Sequence, residues 1–251
     1  MATVAVLAEP PVEGHVLPDL FGSGPISEPE AARLYSAMLG DVCRAVQHGG
    51  ADLLVNYRDS DQVPGDVDSE GRLRELLDGA LESPGEARYE VQVGETFAGR
   101  AGNTVTHLLE RESVDTAAVV GPTVPFLARE QIGSAAMKLR SSEVVLGPTT
   151  DGRVYYAGFA ESIDFADAYA PPAVGTLTDR ARDAGLDVDF LPMMPVVETA
   201  DDLVTALAQL SARDRAGRIV PARTAAVVDD LALAVTEAGD ELQVTRSSDG
   251  S

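Results

Sequence analysis

Short β-branched runs alternate with longer stretches of helical periodicity along most of the chain. The period-two or continuous apolar runs predict strands at Thr3 to Ala8, Ala51 to Tyr57, Arg88 to Val93, Thr116 to Val120, Glu143 to Leu146, Val154 to Phe159 and Asp187 to Leu191. Between them, the 3.6-residue pattern predicts helices near Glu70 to Leu81, Ala101 to Glu112, Phe126 to Leu139, Val174 to Ala184 and Asp201 to Ala212. A further long helix opens at Ser27, where Glu30 three residues on completes a capping box and Pro29 fills the first turn. Strand–helix alternation of this kind predicts an α/β fold in three α/β/α layers, with a mostly parallel sheet covered by helices on both faces. Residues 1–212 carry the alternation. Residues 213–251 read as an appendage packed on the same domain, with Pro221 to Ala238 helical, Glu241 to Arg246 an edge strand and Ser247 to Ser251 a frayed tail.

Two of the predicted strands stop at Gly-Pro, one at Gly121-Pro122 and the other at Gly147-Pro148. In open α/β sheets ligands sit outside the carboxyl ends of the strands, so these two loops are the first place to look for a site. A loop built for metal-assisted phosphate chemistry presents a carboxylate, whereas the first offers Gly121, Pro122, Thr123 and Val124.

Composition sets the environment. Acidic residues number 41 against 19 basic ones, for a net charge of −22, yet 45% of the residues are hydrophobic. That is ample for a core, so the acid is surface coating and not a mark of disorder. Lys138 is the only lysine. An acid-rich, lysine-poor surface suits a halophilic setting, where charge is screened within roughly 3 Å at 1 M salt. Without a basic stripe to displace counterions, nucleic acid is excluded as a partner. One cysteine, Cys43, rules out an intrachain disulfide and a cysteine zinc site, and its helical flanks predict a buried core residue. No apolar run approaches the roughly 18 residues of a membrane span, and Met1 opens into a strand without a basic leader, so the expectation is a cytoplasmic protein with no membrane partner.

Read in order, Val4 to Gly14, Glu28 to Tyr35, Gln92 to Arg100, Val145 to Pro148, Asp151-Gly152, Tyr155-Tyr156 and Glu198 to Leu203 resemble a set of glycosyltransferase A-type proteins, over about residues 3 to 210. That family is similar to nucleotide-diphospho-sugar transferases and, distantly, to phospholactate guanylyltransferases. The resemblance implies a divalent-metal-dependent glycosyl or nucleotidyl transferase, with Mg²⁺ or Mn²⁺ as cofactor and a nucleotide or nucleotide sugar as ligand. The departures fall at the chemistry. Where the family carries a basic run of the type Val-Lys-Thr-Arg-Leu, this chain reads Val16-Leu17-Pro18-Asp19-Leu20. Where the family's Ser-Asp-x-Pro would put an aspartate on the metal, it reads Pro122-Thr123-Val124-Pro125. Of the late acidic motif, Glu198 is retained at the metal-facing position.

The candidate residues follow from these matches, and each has a structural alternative. Asp151 and Glu198 are the catalytic candidates, with Glu198 also the metal ligand. Asp151-Gly152 is first of all a β-hairpin turn, and Glu198 first of all a support for the helix N-cap at Thr199. Gly14, His15, Arg100, Thr123, Arg153 and Tyr156 are the substrate- or phosphate-binding candidates; one of Tyr155 and Tyr156 belongs to the core and the other to the cleft. Arg33 or Arg58 would be the replacements for the lost cations. Three functions stay open: an active transferase, a degenerate relative (a pseudoenzyme) that binds a ligand or protein without turnover, and an assembly protein or homo-oligomer using the C-terminal appendage.

Overall fold

The computed structural model describes residues 2–22, 24–239 and 241–247. Its centre is a seven-stranded sheet in the order β3-β2-β1-β4-β6-β5-β7, formed by β1 (Ala2–Ala8), β2 (Asp52–Tyr57), β3 (Arg88–Val91), β4 (Thr116–Val120), β5 (Val144–Pro148), β6 (Val154–Phe159) and β7 (Val188–Phe190). Six strands run parallel, and β6 runs against both of its neighbours. The register pairs Val4 with Leu53 on one side and with Ala118 on the other.

Both faces of the sheet are buried, which is why the strands read as continuous apolar runs. Val4, Val6, Ala118 and Val145 pack towards α1 (Glu28–His48), α2 (Ser69–Asp78), α4 (Arg129–Lys138) and α6 (Ala200–Arg215). Ala5, Leu7, Leu146 and Phe159 pack the other way, against α3 (Phe97–Thr106) and α5 (Ala173–Asp183). Each fully buried Leu or Val on these faces contributes about 1.5–3 kcal/mol. Cys43 lies wholly inside the α1 layer, as its sequence context predicts. The α1 capping box also forms: the Glu30 carboxylate accepts from both the Ser27 amide and hydroxyl at 2.8 Å.

Differences from the sequence expectation lie mostly at ends. Pro125-Phe126-Leu127 is a turn whose side chains enter the core, so α4 begins at Arg129 and not at Phe126. The segment expected to be helical from Pro221 to Ala238 is half helix and half strand: α7 (Ala222–Asp230) ends, Ala232 takes a left-handed φ of 51°, and β8 (Leu233–Ala238) follows. β9 (Glu241–Arg246) pairs with β8 in a separate two-stranded sheet, not along the edge of the main one. The expected frayed end from Ser248 to Ser251 lies outside the described residues.

The C-terminal elements are fastened to α1 by polar contacts. The buried Asp41 carboxylate accepts from the amides of Arg223 and Thr224 and from the Thr224 hydroxyl. Glu30 accepts from Arg246 of β9.

Candidate functional site

The parallel strands end together at one edge, and because β6 is reversed, its beginning lies there too. Along this edge stand the loop after β1 (Glu9 to Ser27), Arg58 after β2, the segment from Gln92 to Arg100 after β3, Gly121 to Thr123 after β4, and the β5–β6 hairpin around Asp151. Two groups of side chains form on it.

The first group lies at the ends of β1, β2 and β3. Gln92 is buried and donates to the carbonyls of Ala8 and Asn56, tying three strand ends together. Asn56 donates to the Glu90 carbonyl and accepts from the Thr104 hydroxyl, which ties in α3. Thr96 caps α3 by accepting from the Gly99 amide. Gly94 makes the approach to that helix possible. With φ at 131°, a Cβ there would stand 2.9 Å from the Arg100 amide nitrogen.

This frame brings Arg100 to Arg58. Burial and the Arg58 charge both push the Arg100 guanidinium below its ordinary pKa, with Glu9 opposing them. Arg58 is 3.7 Å from Glu9, and His15 Nε2 is 2.8 Å from the same carboxylate. Among the described residues no carboxylate lies within ion-pair distance of Arg100, whose Nη1 donates only to the Glu95 carbonyl. The Nε atoms of Arg58 and Arg100 are both buried without an acceptor.

The residues standing where the resemblance would place basic side chains do not join this group. Leu17 takes a left-handed φ of 54° and turns its side chain into the core, while Asp19 is exposed. Gly14 has φ 73° and sits close to Glu28. Arg33 lies elsewhere, paired with Asp230 on the outer side of α1. There it lines a groove of about 1340 Å³ between α1, residues 125–131 and α7.

The second group lies at the ends of β4 and β5 and the start of β6. Thr123 is buried and donates to Glu198 Oε1 at 3.1 Å. Arg153 Nη1 donates to Glu198 Oε2 at 2.7 Å and to Asp202 Oδ2 at 3.1 Å; Nη2 donates to Asp202 Oδ1 at 2.8 Å. Thr150 takes the remaining donors, its hydroxyl from Nη2 and its carbonyl from Nε. Asp202 also accepts from the amides of Glu198 and Thr199, while Thr199 Oγ1 accepts from the Asp202 amide in a capping box. Burial works to raise the Asp202 carboxyl, but the Arg153 hydrogen bonds and charge, with those two amides, hold it below the ordinary range. The hydrogen bonds to Asp202, ahead of those to Glu198, raise the Arg153 pKa.

Asp151 is the tip of the β5–β6 hairpin, with φ 58° and its side chain mostly exposed. Its carboxylate is 3.6 Å from Arg153. Tyr155 and Tyr156 are both buried, so neither lines an open cleft: Tyr155 donates to the Pro192 carbonyl, and Tyr156 packs beside Leu139 and Gly158. Sequence reasoning missed Asp202, because a threonine followed three residues later by an aspartate reads fully as a helix cap. It also missed Glu9 as the acid beside Arg58.

The donor set of the second group does not suit a divalent ion. Mg²⁺ requires several oxygens at about 2.0–2.1 Å in octahedral array. Here one threonine hydroxyl and one partly exposed carboxylate face the edge, and the second carboxylate is committed to Arg153 and two amides. Ligand-type atoms of Glu90, His107 and Glu112 also lie within 4.8 Å of one another, near the start of β3 and the end of α3. Arg88 already bridges Glu90 and Glu112 there.

No protein-family model matches the chain, and no curated protein matches it. Solved structures do. A candidate nucleotide-diphospho-sugar transferase from Desulfovibrio desulfuricans G20 superposes with a TM-score of 0.75 at 21% identity, covering 91% of this chain and 94% of that one. A cytidylyltransferase from Leptospira borgpetersenii superposes at 0.50 with 7% identity, over 91% of this chain and 94% of that one. At these identities the likeness is one of fold. The chain has the nucleotide-diphospho-sugar transferase fold, and among its described residues no helix is long and apolar enough to cross a membrane.

Proposed function

We propose that this chain binds a phosphorylated ligand of the nucleotide or nucleotide-sugar class at the strand-end edge and does so without metal-dependent turnover. One observation carries the reading: Arg58 and Arg100 each bury an Nε donor that no protein atom accepts, and the Arg58 charge reaches Arg100. Glu9 offsets only part of the repulsion between the two guanidinium groups, and a phosphate would accept from both through short charge-assisted hydrogen bonds. The pair stands where open α/β sheets take their ligands. The lost basic run after β1 is thus compensated from β2 and α3. The nucleotide class is favoured because the fold is that of the Desulfovibrio protein.

The transferase reading has less support. Glu198 is held by Arg153 and Thr123, Asp151 is an exposed turn residue, and neither is placed to activate a nucleophile.

Thermal unfolding in roughly 2 M KCl, a salt level suited to the charge, against nucleoside diphosphates, nucleotide sugars and inorganic pyrophosphate tests the proposal. Saturation at 100 times Kd should add about 2.7 kcal/mol to stability. The shift should fall by half or more in Arg58→Ala and in Arg100→Ala. A flat panel with the native protein overturns the reading and turns attention to the C-terminal surface.

A further inference from the structure

We propose that Arg153 is the resident cation of this edge: its guanidinium fills the place among Thr123, Glu198 and Asp202 that a divalent ion would need, so ligand binding here is independent of metal. The inference rests on the reading of the edge as a ligand cleft, but its principal test requires no ligand.

The position is set by topology. Gly121 of the loop after β4 donates to the Tyr155 carbonyl at 3.2 Å, which brings the start of β6 against that loop. Val197 donates to the Thr123 carbonyl at 2.8 Å, which brings the approach to α6 to the same spot. Three chain segments therefore converge, and Arg153 projects from the hairpin into their junction.

The guanidinium is fully engaged. An arginine has five N–H hydrogens, and five acceptors are in place: the Thr150 carbonyl and hydroxyl, Glu198 Oε2 and both oxygens of Asp202. Both Glu198 oxygens are engaged as well, one by Thr123 and the other by Arg153. A divalent ion entering here would have to displace Arg153 and would leave that charge unpaired beside it. Removing the partner of a charge beside the buried Asp202 is unfavourable.

The same saturation keeps Arg153 from donating to phosphate. The cluster holds one positive charge against Glu198, Asp202 and the nearby Asp151, so its field repels phosphate. A phosphorylated ligand is directed instead towards Arg58, which follows β2, two strand positions and so roughly 10 Å from β4, and towards Arg100 of α3 beyond it.

Electron paramagnetic resonance of added Mn²⁺ reads the site directly, with melting curves confirming that each variant is folded. In roughly 2 M KCl, which suppresses loose binding to the acidic surface, the native protein and Glu198→Gln should bind Mn²⁺ equally weakly. Arg153→Gln should bind at least about tenfold more tightly, because the like charge is gone and the carboxylates are free, and adding Glu198→Gln to it should abolish the gain. A native site lost on Glu198→Gln overturns the proposal, and so does a folded Arg153→Gln protein that gains nothing. If Arg153→Gln fails to fold, the comparison of native protein with Glu198→Gln still decides. For nucleoside diphosphate, affinity unchanged by EDTA is expected, and affinity lost on chelation overturns the proposal. A native protein that binds no nucleotide at all sinks the ligand reading while leaving the Mn²⁺ result to stand by itself.

Discussion

The two halves of the strand-end edge use arginine in opposite ways. At β5 and β6, Arg153 has every donor matched by an acceptor from its own chain, and the cluster is closed. At β1 to β3, Arg58 and Arg100 stand near each other with buried donors unmatched. Saturation fixes a conformation; unsaturation leaves free energy for a ligand to recover. One fold thus carries a closed ion cluster and an arginine pair with unmatched donors along a single line of strand ends, and what separates them is the supply of acceptors and not the identity of the cation.

That contrast is open to attack. The largest effect is expected from Asp202→Ala, which strands Arg153 and uncovers two amides; the cost should be about 3 kcal/mol, read from denaturant unfolding, with anion affinity little changed. If ligand affinity collapses together with stability, the halves are one unit. Arg100→Ala sharpens the comparison from the other side. Losing a charge-assisted contact should weaken binding by about 1.5–3 kcal/mol. Stability should stay level or rise, because a crowded like charge is removed. A large loss of stability in that variant would show that Arg100 is structural after all.

The smallest effect concerns neither group and serves as the reference. Hydrogen bonds from the Ser27 amide and then from Arg246 lower the Glu30 pKa from 4.5 to about 2. A depressed carboxylate stabilises the native state above its unfolded value, so this contribution is complete above pH 4.5 and fades as pH falls towards 2. Arg246→Ala should remove part of it, at most about 1 kcal/mol for a pair so near the surface. Proton titration of Glu30 by nuclear magnetic resonance should then show a higher pKa. An unchanged value would mean that β9 does not rest on α1 as described.

How legible each part was in the sequence follows from how local its determinants are. β1, β4 and β6 were readable because β-branched runs in a sheet buried on both faces leave no polar alternation to confuse them. β8 was not, because Leu231, Ala232 and Leu233 carry no glycine or proline at the turn, and alanine favours a helix until tertiary pairing with β9 overrides it. At the edge, the turn-rich segment before Arg100 marks that residue as a candidate; of the two substitutes the sequence offers for the basic run, Arg58 stands on the edge and Arg33 does not. The engagement of Arg153 was not readable, since it depends on Asp202 standing 49 positions away.

The reversed strand has a wider consequence. A parallel strand reaches the ligand edge only at its end, and the chain then leaves for a helix on one face. β6 arrives at that edge by a tight hairpin from β5, so both limbs of the turn belong to the sheet. Adding or deleting a residue at such a tip breaks no crossover. The hairpin is therefore a place where a side chain can be carried to the strand-end edge without a new crossover, as Arg153 is.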